Sequence, residues 1–168
     1  MRRDLIHQLD EAVTEVFAVM LNLACTSEPA LDQQTAVPHL RSSLIGAKVD
    51  GSEKDQYFNA SVVFSGPFQG RCCLQLDEHT ATELTSNLMG ISPREISPDL
   101  CADCAGELCN MIAGSWIKRH PTDLATSVLS YPIVKLGQCQ RAVDHFGEDI
   151  TRFYHFEGHR LTLRLAFN

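Results

Sequence analysis

At 168 residues, 44% of them hydrophobic, the chain has the length of one domain and enough apolar matter to fill one core. Asp and Glu outnumber Lys and Arg by 21 to 14, and a net charge of −7 with no basic run argues against nucleic-acid binding and against docking on an anionic membrane. The longest apolar run near the N-terminus, residues 16–21, falls far short of the roughly 20 needed to span a bilayer. Arg2 and Arg3 lead into polar residues rather than a signal-peptide core, so a cytoplasmic protein is expected.

Residues 5–23 place Leu5, Leu9, Val13, Val16, Phe17, Met20 and Leu21 at helical spacing, with Asp10, Glu11 and Thr14 outside. A loop over residues 27–40 follows, where neither the helical nor the strand period holds. Three extended segments come next, over residues 44–49, 57–65 and 68–76, rich in Val, Phe and Ile and punctuated by Gly51, Gly66, Pro67 and Gly70. Residues 77–89 return to a helical pattern that Gly90 is placed to end. Ser97-Pro98-Asp99 reads as the start of a helix running to about Arg119. Ser caps free N–H groups, Pro suits the first turn, Asp complements the macrodipole, and Pro121 stops the helix. Extended segments over residues 126–136, 149–156 and 160–167 close the chain.

The order is helix and three strands, a connecting helix, then helix and three strands. Phe68-Gln69-Gly70-Arg71 leads into Leu74 and Leu76 much as Phe156-Glu157-Gly158 leads through Arg160 into Leu163 and Leu165. A duplicated architecture is the simplest explanation: one domain over residues 1–168, with pseudo-repeats 1–76 and 97–168 joined by a connecting helix within 77–96. The expected fold class is α/β of the two-layer, α+β kind, with long helices on one face of a mainly antiparallel sheet of about six strands.

On the helix starting at Ser97, about 100° per residue puts Asp99, Asp103, Glu107, Asn110 and Gly114 within about 80° of one another. The opposite face carries Cys101, Ala105, Leu108, Cys109, Ile112 and Trp116. The helix is therefore expected to bury that face on the sheet and present an acidic-amide row. Gly106 and Gly114 flank the row with minimal bulk, although Gly costs a helix interior about 1 kcal/mol relative to Ala, and would let another surface come close.

The spacing Asp103-x-x-x-Glu107-x-x-Asn110-Met111-Ile112-Ala113-Gly114 resembles the motif of the CheC/CheX/FliY family of chemotaxis phosphatases. The resemblance extends to residues 11–17 and to Ser130-Tyr131-Pro132, and is greatest to CheX. It implies a CheC-like fold of duplicated helix-plus-three-strand repeats and hydrolysis of the aspartyl phosphate of a phosphorylated CheY-like response regulator. It further implies that Asn110 orients the attacking water and that Glu107 pairs with a lysine of the partner. Asp103, Gly106 and Gly114 would be partner-binding or supporting positions. The chain itself would need no metal or other cofactor, Mg2+ residing in the partner, and sheet edges would pair into a homodimer. CheC proteins carry the motif twice, whereas the equivalent first-helix positions here are Glu11, Glu15 and Ala18, so a single working site is expected.

The residues also bear on two other functions. Related folds in the flagellar switch bind partners without hydrolysis, so the alternative is a non-catalytic binding module for a response regulator or switch component. Seven cysteines include Cys101-Ala-Asp-Cys104, but a structural zinc site needs a second pair at comparable spacing, and small apolar packing explains them. The seven histidines pair with no Cys or Ser in a nucleophile arrangement.

Overall fold

A computed structural model of the chain describes residues 2–29, 56–66, 68–119, 127–137 and 146–168. Helix α1 (Arg2–Val16) continues into a π-helical turn (Phe17–Leu21), then β1 (Thr26–Ser27), β2 (Tyr57–Ser65), β3 (Gly70–Asp77) and α2 (Glu78–Met89). A 3-10 turn (Pro93–Glu95) precedes α3 (Pro98–Lys118), followed by β4 (Val128–Leu129), β5 (Ile133–Gly137), β6 (Glu148–Phe156) and β7 (His159–Phe167). The extended segment expected over residues 44–49 and most of the expected loop lie outside the described residues.

The strands form one sheet in the order β1-β6-β7-β3-β2-β4, with β5 also on β2, and every described pairing is antiparallel. The arrangement is reciprocal. Strand β1 from the first half sits on β6 of the second, while β4 and β5 from the second half sit on β2 of the first. At the centre β3 pairs β7, with Leu74 opposite Leu163. Strands β2, β3 and β6 alternate along most of their length, so Phe58, Ala60, Val62 and Phe64 of β2, like Leu161, Leu163 and Leu165 of β7, point to the covered face. The three helices cover that face, which makes the fold two-layer α+β.

Local chemistry explains the helix ends. Asp77 caps α2 by accepting from the Thr80 N–H at 2.7 Å, and Gly90 ends it at φ +67°, a conformation that costs Gly little. Ser97 caps α3 by accepting from the Leu100 N–H at 3.3 Å, with Pro98 in the first turn. Beneath α3, the Trp116 ring lies 5.6 Å from Phe64 and 5.5 Å from Phe167.

Three expectations need correction. The extended run over residues 126–136 is two strands, because Pro132 has no N–H to donate and residues 130–132 leave the ladder. Ser130 bridges the break, its N–H donating to the Val63 carbonyl at 2.8 Å and its hydroxyl accepting from the Val63 N–H at 3.0 Å. Met20, read as inward, is exposed, because the π-helical turn inserts a residue into the helical register and carries Ala18, Val19 and Met20 outward between buried Phe17 and Leu21. Asp10, read as outside, is half-buried. It accepts from Arg152 Nη2 at 2.7 Å, Arg152 Nε at 3.1 Å, the Tyr154 hydroxyl at 2.8 Å and the Ser27 hydroxyl at 3.2 Å. This network pins α1 to β6; burial first, and the Asp10 carboxylate second, drive the Tyr154 hydroxyl pKa well up.

Candidate active site

Helix α3 lies over β2, β3 and β5 and packs against both α1 and α2. Its buried side is Cys101, Ala105, Leu108, Cys109, Ile112 and Trp116, the apolar face that periodicity assigns to the core. The other side carries Asp99, Asp103 and Glu107 exposed, with Asn110 and Gly114 half-buried. Among the described residues, the side chains of Asp103, Glu107 and Asn110 make no hydrogen bond or ion pair within the chain. Both carboxylates and the amide therefore keep their full bonding capacity for an incoming surface: acceptors at Glu107, donor and acceptor at Asn110.

The two glycines differ in surroundings. A Cβ at Gly106 would stand 3.2 Å from Val134 Cγ2 and 3.3 Å from Pro132 Cβ, so its bareness admits the chain's own strand β5. A Cβ at Gly114 would meet only Leu129 Cδ1, at 3.6 Å, which leaves that position open. The row thus runs along a ridge. Pro132 and Val134 wall one flank, and an apolar groove lined by Met20, Leu84, Leu88 and Met111, with Glu107 on its rim, borders the other.

The corresponding face of α1 is engaged internally. Arg119, which sequence reading takes only as the end of α3, reaches Glu15 at 2.6 Å and lies 3.9 Å from Glu11, while the Ser115 hydroxyl donates to Glu15 at 2.8 Å. Arg119 first and Ser115 second hold the Glu15 carboxyl below its ordinary value. His7, Glu11, Glu15, Ala18 and Arg119 line a shallow hollow of about 460 Å3. No sequence periodicity links Arg119 to Glu15, so only the fold reveals this contact.

The cysteines lie mainly inside. Cys101 sits 3.9 Å from the Thr82 hydroxyl, and the Cys109 thiol donates to the Cys72 carbonyl at 3.5 Å. Burial pushes the Cys104 thiol up, and burial together with Asp10 pushes Cys25 up to about 12. Raised thiols are poor nucleophiles. Among the described residues no helix is long and apolar enough to cross a membrane.

Comparisons with known proteins bear on this geometry. Residues 58–141, half of the chain and inclusive of α3, match the family described as chemotaxis phosphatase CheX. No curated protein matches the chain at a significant level. Among solved structures, chemotaxis protein CheX from Vibrio vulnificus is 16% identical, with a TM-score of 0.68, covering 100% of this chain and 99% of that one. The CheX–CheY–BeF3–Mg2+ complex from Borrelia burgdorferi matches at 16% identity and TM-score 0.66, with 97% of each chain covered. Thermotoga maritima FliY matches at 15% identity and TM-score 0.56, over 95% of this chain and 84% of that one. At these identities the structural likeness establishes the shared fold, and the family match establishes kinship. The chain belongs to the CheX family of chemotaxis phosphatases.

Proposed function

We propose that the chain hydrolyses the aspartyl phosphate of a CheY-like response regulator, with α3 as the helix that enters the regulator's phosphorylation site. The observation that carries this reading is the row itself: Glu107 and Asn110, one turn apart on an outward face, both without internal partners among the described residues. Phosphoryl transfer asks a protein mainly for positioning and charge. The Asn110 amide holds a water in line with phosphorus, its carbonyl oxygen accepting a hydrogen bond from the water while its N–H donates elsewhere, and it stays uncharged throughout. Glu107 pairs with a lysine of the regulator and fixes the helix in register with the acyl phosphate. Asp103, one turn earlier, supports the interface, and Gly114 lets the partner's surface come close. Mg2+ belongs to the regulator's own acidic pocket, so this chain supplies no metal ligand. Family membership and the BeF3–Mg2+ complex of the Borrelia relative support the choice of partner.

The site works in the cytoplasm, where response regulators are phosphorylated, and the chain associates as a dimer through the open side of the sheet. Among the described residues no strand pairs with the outer edge of β5, and exposed Ile133 and Leu136 line it. Sedimentation of Ile133→Lys against wild type tests that contact. The test of the activity is loss of acyl phosphate from phosphorylated regulators of the same organism, with wild type or Asn110→Ala added substoichiometrically. Faster decay with wild type and none with the variant is the expected result. Binding without faster decay in either case would instead make the chain a response-regulator binding module.

A further inference from the structure

The groove beside Glu107 has a volume of about 30 Å3, far below the few hundred Å3 of a small-molecule site, and its walls are Met20, Leu21, Leu84, Leu88, Leu108 and Met111. Its size suits a single protruding protein side chain better than a small molecule. Around it the surface is unusually apolar for a chain of net charge −7: Val19 is 74% exposed, Met20 47%, Met89 49% and Leu88 38%. The exposure of Val19 and Met20 has a specific backbone cause. The π-helical turn Phe17–Leu21, closed by left-handed Asn22 at φ +52°, turns Met20 outward beside Val19 where a continued α-helix would carry it towards the core. Such turns are rare and cost helical hydrogen-bond geometry, so one that carries apolar side chains into water points to a partner that covers them.

We infer that this apolar shoulder, formed by the π-helical turn and the end of α2, is the seat for the body of the response-regulator domain. The inference rests on the phosphatase reading. Continuity identifies the occupant: Glu107 lines the groove as well as belonging to the row, so whatever brings a lysine to Glu107 must lie across Met20 and Leu88. The partner therefore carries an apolar rim with one protruding side chain beside its acidic, lysine-bearing pocket. The ridge supplies charge and chemistry, and the shoulder supplies apolar area. Three of the side chains, Met20, Met89 and Met111, are flexible thioethers that repack against differing surfaces, which suits a phosphatase serving more than one regulator.

The test is the double substitution Met20→Gln with Leu88→Gln in the full chain. Both positions are exposed, so the fold should survive, and circular dichroism and thermal melting check that it does. Turnover of phosphorylated regulator is measured alongside equilibrium binding of the regulator to chains that also carry Asn110→Ala. The expected result is a rise of at least tenfold in KM and in the dissociation constant, with the loss falling on KM rather than on the rate at saturation and with an unchanged salt dependence. An unchanged KM and dissociation constant overturn the inference, as does a change confined to the saturated rate. So does a shift of the variant from dimer to monomer, which would assign the shoulder to a second copy of the chain. If wild type binds a regulator through the shoulder yet never dephosphorylates it, the phosphatase reading fails and the docking surface stands.

Discussion

Arg119, just beyond the last turn of α3, places Nη2 2.6 Å from Oε2 of Glu15 on α1. The contact occupies the α1 carboxylate whose counterpart on α3, Glu107, is free among the described residues. It also gives a pH signature with a definite sign. Glu15 is held below its ordinary value of 4.5 by Arg119 and then Ser115. A carboxyl depressed in the folded state stabilises the fold above the unfolded pKa and loses that contribution as pH falls through the folded value. Arg119→Ala should therefore lower the melting temperature at neutral pH, slightly because the pair is solvent-screened, and by less in acid below the folded pKa, where only its hydrogen bonds to Ser115 remain to be lost. A difference that grows towards acid would reverse the assignment.

The same contact bears on the number of working sites. Ala18→Asn would restore an amide to the α1 row, but Glu15 remains tied to Arg119. In an Asn110→Ala background, Ala18→Asn is expected to leave acyl-phosphate decay at its spontaneous rate.

Glu107 should act in docking more than in the chemical step. Charge-assisted hydrogen bonds are worth about 1.5–3 kcal/mol, so Glu107→Gln should raise KM for the phosphorylated regulator roughly tenfold or more. Wild-type KM should climb with ionic strength and the variant's KM should climb less, a comparison steady-state kinetics at two salt concentrations can make.

Gly106 and Gly114 should respond in opposite ways. Gly106→Val adds atoms where Pro132 and Val134 already stand within 3.3 Å of a Cβ, and overpacking of that kind costs about 1–3 kcal/mol. Gly114→Ala meets only ordinary contact and removes a helix-interior glycine, so it should stabilise by about 0.4–1 kcal/mol while weakening regulator binding. Urea melts and binding isotherms on both variants separate the two effects.

Asp10→Ala would leave the buried Arg152 guanidinium without its carboxylate. Breaking a fully buried pair costs roughly 3–5 kcal/mol, and because Asp10 keeps part of its surface in solvent the expected loss is nearer about 2 kcal/mol. Urea denaturation at neutral pH measures it directly.

Much of this arrangement is legible in the residues. The Ser97 cap, the apolar face of α3 and the outward row follow from short-range rules, and the β2 span over residues 57–65 follows from its composition. What escapes is whatever depends on distant packing. Periodicity sets the angular position of Gly106, but not that Pro132 and Val134 press on it. It assigns Asp10 to the polar face, yet Arg152 arrives from β6. A π-helical turn shifts register by one residue, and a run of Ala18, Val19 and Met20 gives no sign of where that shift falls. Arg119 looks like an ordinary basic residue at a helix end until α1 is laid beside it.

Phe167, near the end of β7, completes the aromatic floor under Trp116, and β7 itself fills the centre of the sheet between β6 and β3. During synthesis, the helix bearing Glu107 and Asn110 leaves the ribosome after β2 and β3, on which it rests, but before Phe167, which packs against its Trp116. Until β7 arrives, Trp116 has Phe64 of β2 beside it but lacks Phe167, and a nascent chain stalled there would be a client for chaperones. The working face of this protein is contiguous in the chain, but the aromatic floor beneath it is completed only by a strand made after it.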